Sequence, residues 1–255
     1  MSFQPVYIPV GVPTFHLESA QDALQRSVKL LRSVDADFVC QEEMLLSIDK
    51  LRDYLSPLRP DLIVFQNLTF ANAAYMSEVL RRFDCPVLLW TLREPVIDGG
   101  RLRLNSLTGA YSAANTLRAI GDRPFAYVFG APEEAEVLSA VRAVTAAARI
   151  KKELRELKLA AVGHTPQGFG FGWALDSELT QVFGVELEAI EARELIDRAK
   201  GYTDEECAAY LEKTRRATCG LDKTPERNRL DHARLYRAYS DYVAEHGIGA
   251  LASRC

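Results

Sequence analysis

Short, nearly continuous apolar runs recur along the chain and alternate with segments of helical spacing. The runs occupy 6–12, 61–66, 86–91, 124–130 and 158–163. Strands that are buried on both faces of a sheet have this composition. The intervening segments have helical spacing, with positions three or four residues apart on one face, as in Ala20, Leu24, Ser27, Leu31 and in Leu45, Ile48, Leu51, Leu55. Because parallel strands require crossover helices, the alternation predicts an α/β fold.

The order of these segments predicts two domains. Further helices are expected at 70–83, 106–120 and 133–157. We expect a first α/β domain over 1–131 and a connecting helix over 132–157. A second α/β domain should cover 158–255. Each domain is predicted to be a doubly wound parallel sheet of the Rossmann or flavodoxin kind.

The second domain is predicted to be incomplete. Its expected elements are a strand at 158–163, a helix at 174–182, a strand at 184–190, helices at 191–200, 203–218 and 225–246, and a strand at 248–253. The last segment reads as a buried parallel strand. Ligands in such sheets bind beyond the carboxyl ends of strands, where this sequence has no further residues. We therefore expect a fragment, one half of a split gene product or a shortened relative of a longer protein.

Composition excludes several classes of protein. The 255 residues carry 31 Lys and Arg against 35 Asp and Glu, a net charge of −4, without a long basic block. Nucleic acid is therefore not an expected partner. No apolar stretch approaches the roughly 18 residues of a membrane span, and the start of the chain lacks a secretory pattern. The five cysteines are odd in number and form no Cys-x-x-Cys pair, which favours a cytoplasmic protein without a disulfide framework.

The glycine-rich stretch 163–173 lies between a predicted strand and a predicted helix, where phosphate-binding loops occur. Its glycines do not match a dinucleotide fingerprint, since Trp173 fills the last slot. A P-loop would need Lys where Phe169 stands. A nucleotide-binding flavodoxin-like protein is therefore poorly supported. A tight turn and a ligand-facing loop are equally compatible with the stretch.

The segment after the predicted strand at 86–91 is the best local candidate for a binding site. Trp90 can form an apolar wall against a sugar, and Arg93 or Glu94 can hydrogen-bond its hydroxyls. The alternative is a Trp90 in the core beside a solvated Arg93–Glu94 pair.

Two other loops should lie along the same sheet edge. The first strand leads into Thr14, Phe15 and His16, and the third leads into 67–70, which contains Thr69. Their convergence predicts a cleft. Asn105 with the next residue is suited to cap a helix N-terminus. No histidine pair has metal-ligand spacing, so no metal ligand is assigned in this chain, and no nucleophilic elbow is present.

An ordered set of phrases resembles the N-terminal part of the L-fucose isomerase and L-arabinose isomerase superfamily. The phrases are Thr69-Phe-Ala71, Pro86-Val-Leu-Leu-Trp-Thr-Leu-Arg-Glu-Pro95, Leu104-Asn-Ser-Leu-Thr-Gly109, Val162-Gly-His-Thr-Pro-Gln-Gly-Phe169 and Gly249-Ala-Leu-Ala-Ser-Arg-Cys255. Each phrase alone is weak, but their order and spacing make the set fairly specific. The resemblance runs through essentially the whole chain.

The resemblance implies an aldose–ketose isomerase with two Rossmann-like N-terminal domains and a C-terminal domain. It implies a trimer or hexamer and a divalent cation, commonly Mn²⁺, that grips two sugar oxygens. Family ligands are a Glu, another acidic residue and a His, all beyond the segment that resembles 249–255. We expect this chain to hold none of them.

The resemblance also implies substrate-facing walls within this chain. Trp90 resembles a tryptophan that packs against substrate, and the loop Thr14–His16 resembles one that closes a neighbouring subunit's site. Asn105 falls in a shared phrase, and His164, Gln167 and Phe169 fall in the loop that opens the second domain.

We therefore expect the substrate-site region of a metal-dependent sugar isomerase, inactive without its C-terminal part. Its partners would be a sugar, further copies of itself or a complementary C-terminal chain. A non-catalytic cytoplasmic sugar-binding module is the alternative.

Overall fold

A computed structural model describes residues 2–121, 124–165, 167–169 and 175–253. The chain forms two compact units that divide between Lys152 and Glu153. The division falls inside the stretch 132–157 that the sequence assigns to a connecting helix. In the described parts of the chain, no helix is long and apolar enough to cross a membrane.

The first unit alternates strands and helices. Its elements are β1 (Pro5–Val10), α1 (Leu17–Val34), β2 (Val39–Cys40), α2 (Ile48–Leu55), β3 (Leu62–Asn67), α3 (Ala73–Arg82), β4 (Val87–Thr91), α4 (Ser106–Gly121), β5 (Ala126–Phe129) and α5 (Ala135–Glu156). The predicted strands and helices of this region are thus present. Strand β2 is an addition, because a strand of two residues leaves no periodic pattern.

The strands of the first unit form one parallel sheet in the order β2-β1-β3-β4-β5. Alternate residues of β1 enter two different cores, Tyr7 on one face and Val6 on the other. Residues of α1 and α5 pack against the first face, and residues of α2, α3 and α4 against the second. The sheet is therefore covered on both faces, which explains its nearly continuous apolar strands.

The strand order changes direction at β1, because β2 lies on one side of β1 and β3 on the other, while all the strands stay parallel. In open α/β sheets, ligands bind beyond the carboxyl ends of the strands near such a point. We call the edge where β1, β3, β4 and β5 end the carboxyl edge. The fold thus directs attention to the loops that start there.

The second unit contains a smaller parallel sheet in the order β7-β6-β8. Its elements are β6 (Lys158–Val162), α6 (Asp176–Phe183), β7 (Glu186–Ile190), α7 (Ala192–Lys200), α8 (Asp204–Ala217), a 3₁₀ turn (Leu221–Lys223), α9 (Glu226–His246) and β8 (Ala250–Ser253). A core that includes Val162, Leu195 and Tyr242 joins the sheet to α7 and α9. Parallel sheets and helices thus define an α/β fold here too.

The prediction that the last strand is buried is wrong. Every residue of β8 is exposed, including Leu251 at 39%. The strand pairs with β6 and lies at the end of the sheet order, so within the described residues it has a neighbour on one side only. An edge position explains why an apolar sequence is accessible to solvent here.

A charged cluster joins the second sheet to α9. The Glu188 carboxylate accepts hydrogen bonds from Lys158 and Tyr242 and lies 3.1 Å from Nδ1 of His246. The Tyr242 and His246 rings stack at 3.9 Å. The hydrogen bond from Lys158, followed by that from Tyr242, lowers the pKa of Glu188. Burial, reinforced by Glu188, raises the pKa of Tyr242 to about 12.

This cluster predicts an acid-sensitive second unit. Because the pKa of Glu188 is lower in the folded than in the unfolded chain, its stabilisation is present above the ordinary pKa of about 4.3. It is lost as the pH falls through the lower, folded-state value. The midpoint of urea unfolding is measured by circular dichroism at pH 6 and at pH 3.5. Its fall between the two pH values should be smaller in Glu188→Gln than in the wild type. The exposed Glu205→Gln is the control, and equal acid sensitivity in Glu188→Gln and the wild type would refute the role.

Candidate functional site at the carboxyl edge

The loops after four parallel strands of the first unit begin at the carboxyl edge. Thr14, Phe15 and His16 follow β1, Thr69 follows β3, and Arg93 with Glu94 follows β4. Since the strands are parallel and adjacent, the fold brings these predicted site segments to one side of the sheet. Contacts between the loops show what each residue does.

Thr69 holds the loops after β1 and β3 together. Its side chain is fully buried, and its Oγ1 accepts a hydrogen bond from the backbone N–H of Val12 at 2.8 Å. A Cβ at Gly11 would lie 2.8 Å from the same oxygen, so this approach requires glycine. Thr69 therefore positions the loop after β1, and its hydroxyl is not exposed to solvent.

The loop after β1 is held by its own contacts. His16 caps α1, with its Nδ1 accepting from the backbone N–H of Ser19 at 3.2 Å. The Phe15 ring lies 6.4 Å from that of Phe70, and the Arg101 guanidinium lies 5.0 Å from the Phe15 ring. Of the predicted residues of this loop, Phe15 thus belongs to a small aromatic and cationic cluster, and His16 caps the helix.

Glu94 fixes the loop between β4 and α4. Its carboxylate accepts backbone N–H bonds from Arg103 at 3.0 Å, Leu104 at 3.1 Å and Asn105 at 2.5 Å. The backbone of the same segment bonds back to the other loops, with His16 N–H donating to the Arg103 carbonyl at 3.0 Å. The sequence predicts a sugar-binding carboxylate here, whereas the structure shows a carboxylate already engaged with the backbone.

The start of α4 is tied to β3 and β4. Asn105 has a positive φ of 52°, and its side-chain oxygen accepts from the Thr108 hydroxyl at 2.7 Å. The Ser106 hydroxyl donates to the Asn67 carbonyl at 2.5 Å and accepts from the Leu92 N–H at 2.9 Å. The predicted capping pair therefore links the helix to two strand ends.

Asn67 is a buried polar residue that the selection of site residues from sequence missed. It is fully buried, and neither side-chain polar atom has a hydrogen-bond partner among the described residues. A Cβ at Gly109 would lie 2.5 Å from its Nδ2, so α4 packs directly over the amide. The available signal was a pair of polar residues, Gln66 and Asn67, at the end of an apolar strand.

Trp90 is a core residue of the first unit, which corrects its expected role as a wall. The side chain is fully buried, and Trp90 pairs in register with Gln66 and Val128 on the neighbouring strands. Its Nε1 donates to the Gly130 carbonyl at 3.0 Å. The position within β4 points the indole at the face covered by α1 and α5, so it has no exposed face for a ligand in this unit.

Arg93 forms a forked ion pair with Glu134. Its Nε and Nη2 donate to the two carboxylate oxygens at 3.0 and 2.9 Å, and the guanidinium lies 4.7 Å from the Phe129 ring. The bond from Arg93, with a second from the Ala131 N–H, lowers the pKa of Glu134 to about 2. The solvated pair with Glu94, which was the alternative interpretation, is thus replaced by a pair between the loops after β4 and β5.

A cavity of about 270 Å³ lies beside this ion pair. We call it the α1–β4 cavity, and it is lined by residues of α1 and of the loops after β4 and β5, including Asp22, Arg26, Leu92, Arg93, Glu94 and Leu104. Arg26 bonds Asp22 and Glu133, each at 2.9 Å. Sequence reasoning missed Asp22 and Arg26, because an i, i+4 charge pair on a helix is typical of any solvated face.

A wider apolar groove of about 940 Å³ lies between α4 and β5, lined by residues that include Leu107, Tyr111, Arg118 and Tyr127. Leu89, in the middle of β4, is part of its lining, so the groove lies away from the carboxyl ends of the strands. Polar groups do not converge there as they do in the α1–β4 cavity. The carboxyl edge is therefore the candidate site.

The remaining predicted site residues belong to the second unit. His164 follows β6, and its Nε2 lies 2.9 Å from the Glu191 carboxylate, with both side chains exposed. Gln167 and Phe169 are exposed as well, and Gly168 between them has a φ of 88°. Most of the rest of the predicted glycine-rich loop, 170–173, lies outside the described residues.

No group of three His, Cys, Asp or Glu side chains suited to a metal occurs within 2–121, 124–165, 167–169 and 175–253. The resemblance places the Mn²⁺ ligands beyond the segment 249–255, so the expected cation stays a prediction.

Taken together, the two parallel sheets and their helices define an α/β protein, with a polar cavity and charged side chains at the carboxyl edge of its first sheet. The chain is similar to proteins named sulfoquinovose isomerase. It is 59% identical over 253 residues to that of Clostridium sp. (strain MSTE9), which covers 99% of this chain and 57% of the relative.

More distant relatives carry the same name. The identity is 32% over 257 residues for the protein of Priestia aryabhattai and 31% over 255 residues for that of Alkalicoccus urumqiensis. Each match covers 98% of this chain and 56% of the relative, so the chain spans a little over half the length of these proteins. No protein-family model matches. The names support the resemblance to sugar isomerases, while the finer likeness to the L-fucose and L-arabinose enzymes stays a prediction.

Proposed function

We propose that this chain is part of an aldose–ketose isomerase that acts on sulfoquinovose, a glucose derivative with a sulfonate on C6. The observation that carries the proposal is the 59% identity to a sulfoquinovose isomerase along 99% of the chain. The polar cavity at the carboxyl edge supports it, because sugars need convergent donors and acceptors beside apolar walls.

The reaction moves the C2 proton of the open-chain aldose to C1 and the hydroxyl proton from O2 to O1. The carbonyl thereby shifts from C1 to C2, and no oxidant or reductant is consumed. We further propose that the enzyme is homo-oligomeric and uses a divalent cation, Mn²⁺ by family resemblance, which would polarise the carbonyl. The described residues of this chain would contribute substrate contacts.

The proposal predicts ketose formation from sulfoquinovose. Purified chain, with Mn²⁺ and without it, is incubated with the sugar, and the product is followed by ¹H NMR. A second sample contains the chain co-expressed with the part of the Clostridium relative that the match leaves uncovered. We expect the ketose in at least one sample, and the comparison shows whether the 255 residues suffice.

The full-length Clostridium relative is the positive control, and glucose is the control for the sulfonate. Binding of sulfoquinovose with no ketose in either sample, while the relative is active, would favour a non-catalytic sugar-binding module and refute the isomerase proposal.

A further inference from the structure

We propose that the α1–β4 cavity binds the neutral, hydroxyl-bearing part of the sugar and excludes its sulfonate. The inference rests on the proposed function for the identity of the sugar. It adds the binding residues, with Arg26 and Asp22 at their centre, and the orientation in which the sugar enters.

The size of the cavity suits a single sugar ring. A volume of about 270 Å³ corresponds to about nine water molecules at their share of the liquid, which is comparable to the twelve or so carbon and oxygen atoms of a hexose. Leu92 and Leu104 form apolar parts of its lining. Such surfaces match the C–H faces of a sugar, which alternate with its hydroxyl groups.

The polar lining supplies both donors and acceptors. Arg26 pairs with Asp22 and Glu133 through its terminal nitrogens, but its Nε is buried and has no hydrogen-bond partner among the described residues. The rest of the pair is accessible, since the Arg26 side chain is 41% exposed and that of Asp22 is 65% exposed. A sugar hydroxyl can accept from an exposed guanidinium N–H and donate to the neighbouring carboxylate at the same time.

The charge of the cluster opposes an anion. The carboxylates of Asp22 and Glu94 line the cavity together with the guanidiniums of Arg26 and Arg93, and those of Glu133 and Glu134 pair with the two guanidiniums beside it. The excess is two negative charges, and both guanidiniums already have carboxylate partners. A sulfonate would have to displace these carboxylates and remain beside them. Neutral hydroxyls meet no such repulsion, so the ring hydroxyls are the part that fits.

NMR titration of the full chain tests the inference. Three probes are added separately, namely sulfoquinovose, 6-deoxy-D-glucose, which lacks the sulfonate, and ethanesulfonate, which lacks the sugar. We expect the methyl signals of Leu92 and Leu104 to shift with both sugars and to stay unchanged with ethanesulfonate. Arg26→Gln should weaken binding of both sugars about tenfold or more, since it removes charge-assisted hydrogen bonds.

Arg32→Gln is the matched control, because Arg32 lies on the same helix and makes an exposed ion pair with Glu42 at 3.3 Å. It should leave both affinities unchanged. Asp22→Asn retains the shape of the site and should weaken binding several-fold. Shifts of the same methyl signals by ethanesulfonate, or no shift with either sugar, would overturn the inference.

The outcome is separable from that of the proposed function. Sugar-dependent shifts in a chain that forms no ketose in any sample would support sugar binding in the cavity and refute the isomerase proposal. Ketose formation together with unchanged sugar affinity in Arg26→Gln would support the isomerase proposal and refute sugar binding in the cavity.

Discussion

Trp90→Ala is expected to lower the free energy of unfolding of the first unit by about 3–5 kcal/mol. The substitution removes the largest fully buried side chain and leaves the Gly130 carbonyl without its 3.0 Å donor. Urea unfolding followed by circular dichroism measures the loss. Because Trp90 lies on a central strand whose indole packs into the core under α1 and α5, the surrounding elements cannot close the space without shifting.

Two further variants separate a core role from a substrate wall. Trp90→Phe keeps most of the volume and should cost about 1–2 kcal/mol. Tyr111→Ala removes an aromatic side chain that is 68% exposed and should cost less than about 0.5 kcal/mol. A Trp90→Ala variant of nearly wild-type stability that has lost sugar affinity would show that the indole contacts the sugar after all.

Glu94→Ala is expected to destabilise the loop between β4 and α4 by about 2–3 kcal/mol. Three backbone N–H groups lose a charged acceptor, and each such bond contributes about 1.5–3 kcal/mol before rehydration offsets part of the loss. Hydrogen exchange should report the change locally. Protection of the amides of Arg103, Leu104 and Asn105 should fall about 10- to 100-fold.

Asp98→Ala provides the matched control within the same loop. Its carboxylate accepts only from the Gly100 N–H, at 3.0 Å, in the described structure. We expect little change in the protection of 103–105 in this variant and an intermediate effect in Glu94→Gln, which keeps one carbonyl acceptor. Unchanged protection of the amides of 103–105 in Glu94→Ala would contradict the positioning role and would favour Glu94 as a sugar ligand.

The apolar runs predicted the fold because the three central strands of the first sheet, β1, β3 and β4, are buried along their whole length. The run at 86–91, for example, becomes β4 (Val87–Thr91), and that at 61–66 becomes β3 (Leu62–Asn67). The same rule failed at β8, where an equally apolar segment lies at a sheet edge. Composition reports that a strand can be buried, whereas its place in the sheet decides whether it is.

The site was harder to predict than the fold. Position at a strand end correctly brought Arg93 and Glu94 to the carboxyl edge, but their partners are distant in sequence. Glu134 is 41 residues from Arg93, so no local sequence pattern predicts that pair. Arg26 looked like an ordinary helix charge, because its contact with Glu133 exists only in the folded unit.

A crystal structure of the chain with sulfoquinovose bound would test the location of the site most directly. We predict the sugar in the α1–β4 cavity, with ring hydroxyls within hydrogen-bond distance of Arg26 and Asp22 and the sulfonate directed away from the carboxylates. Sugar bound in the groove beside Tyr111 and Tyr127, or a sulfonate seated on Arg26, would contradict this account.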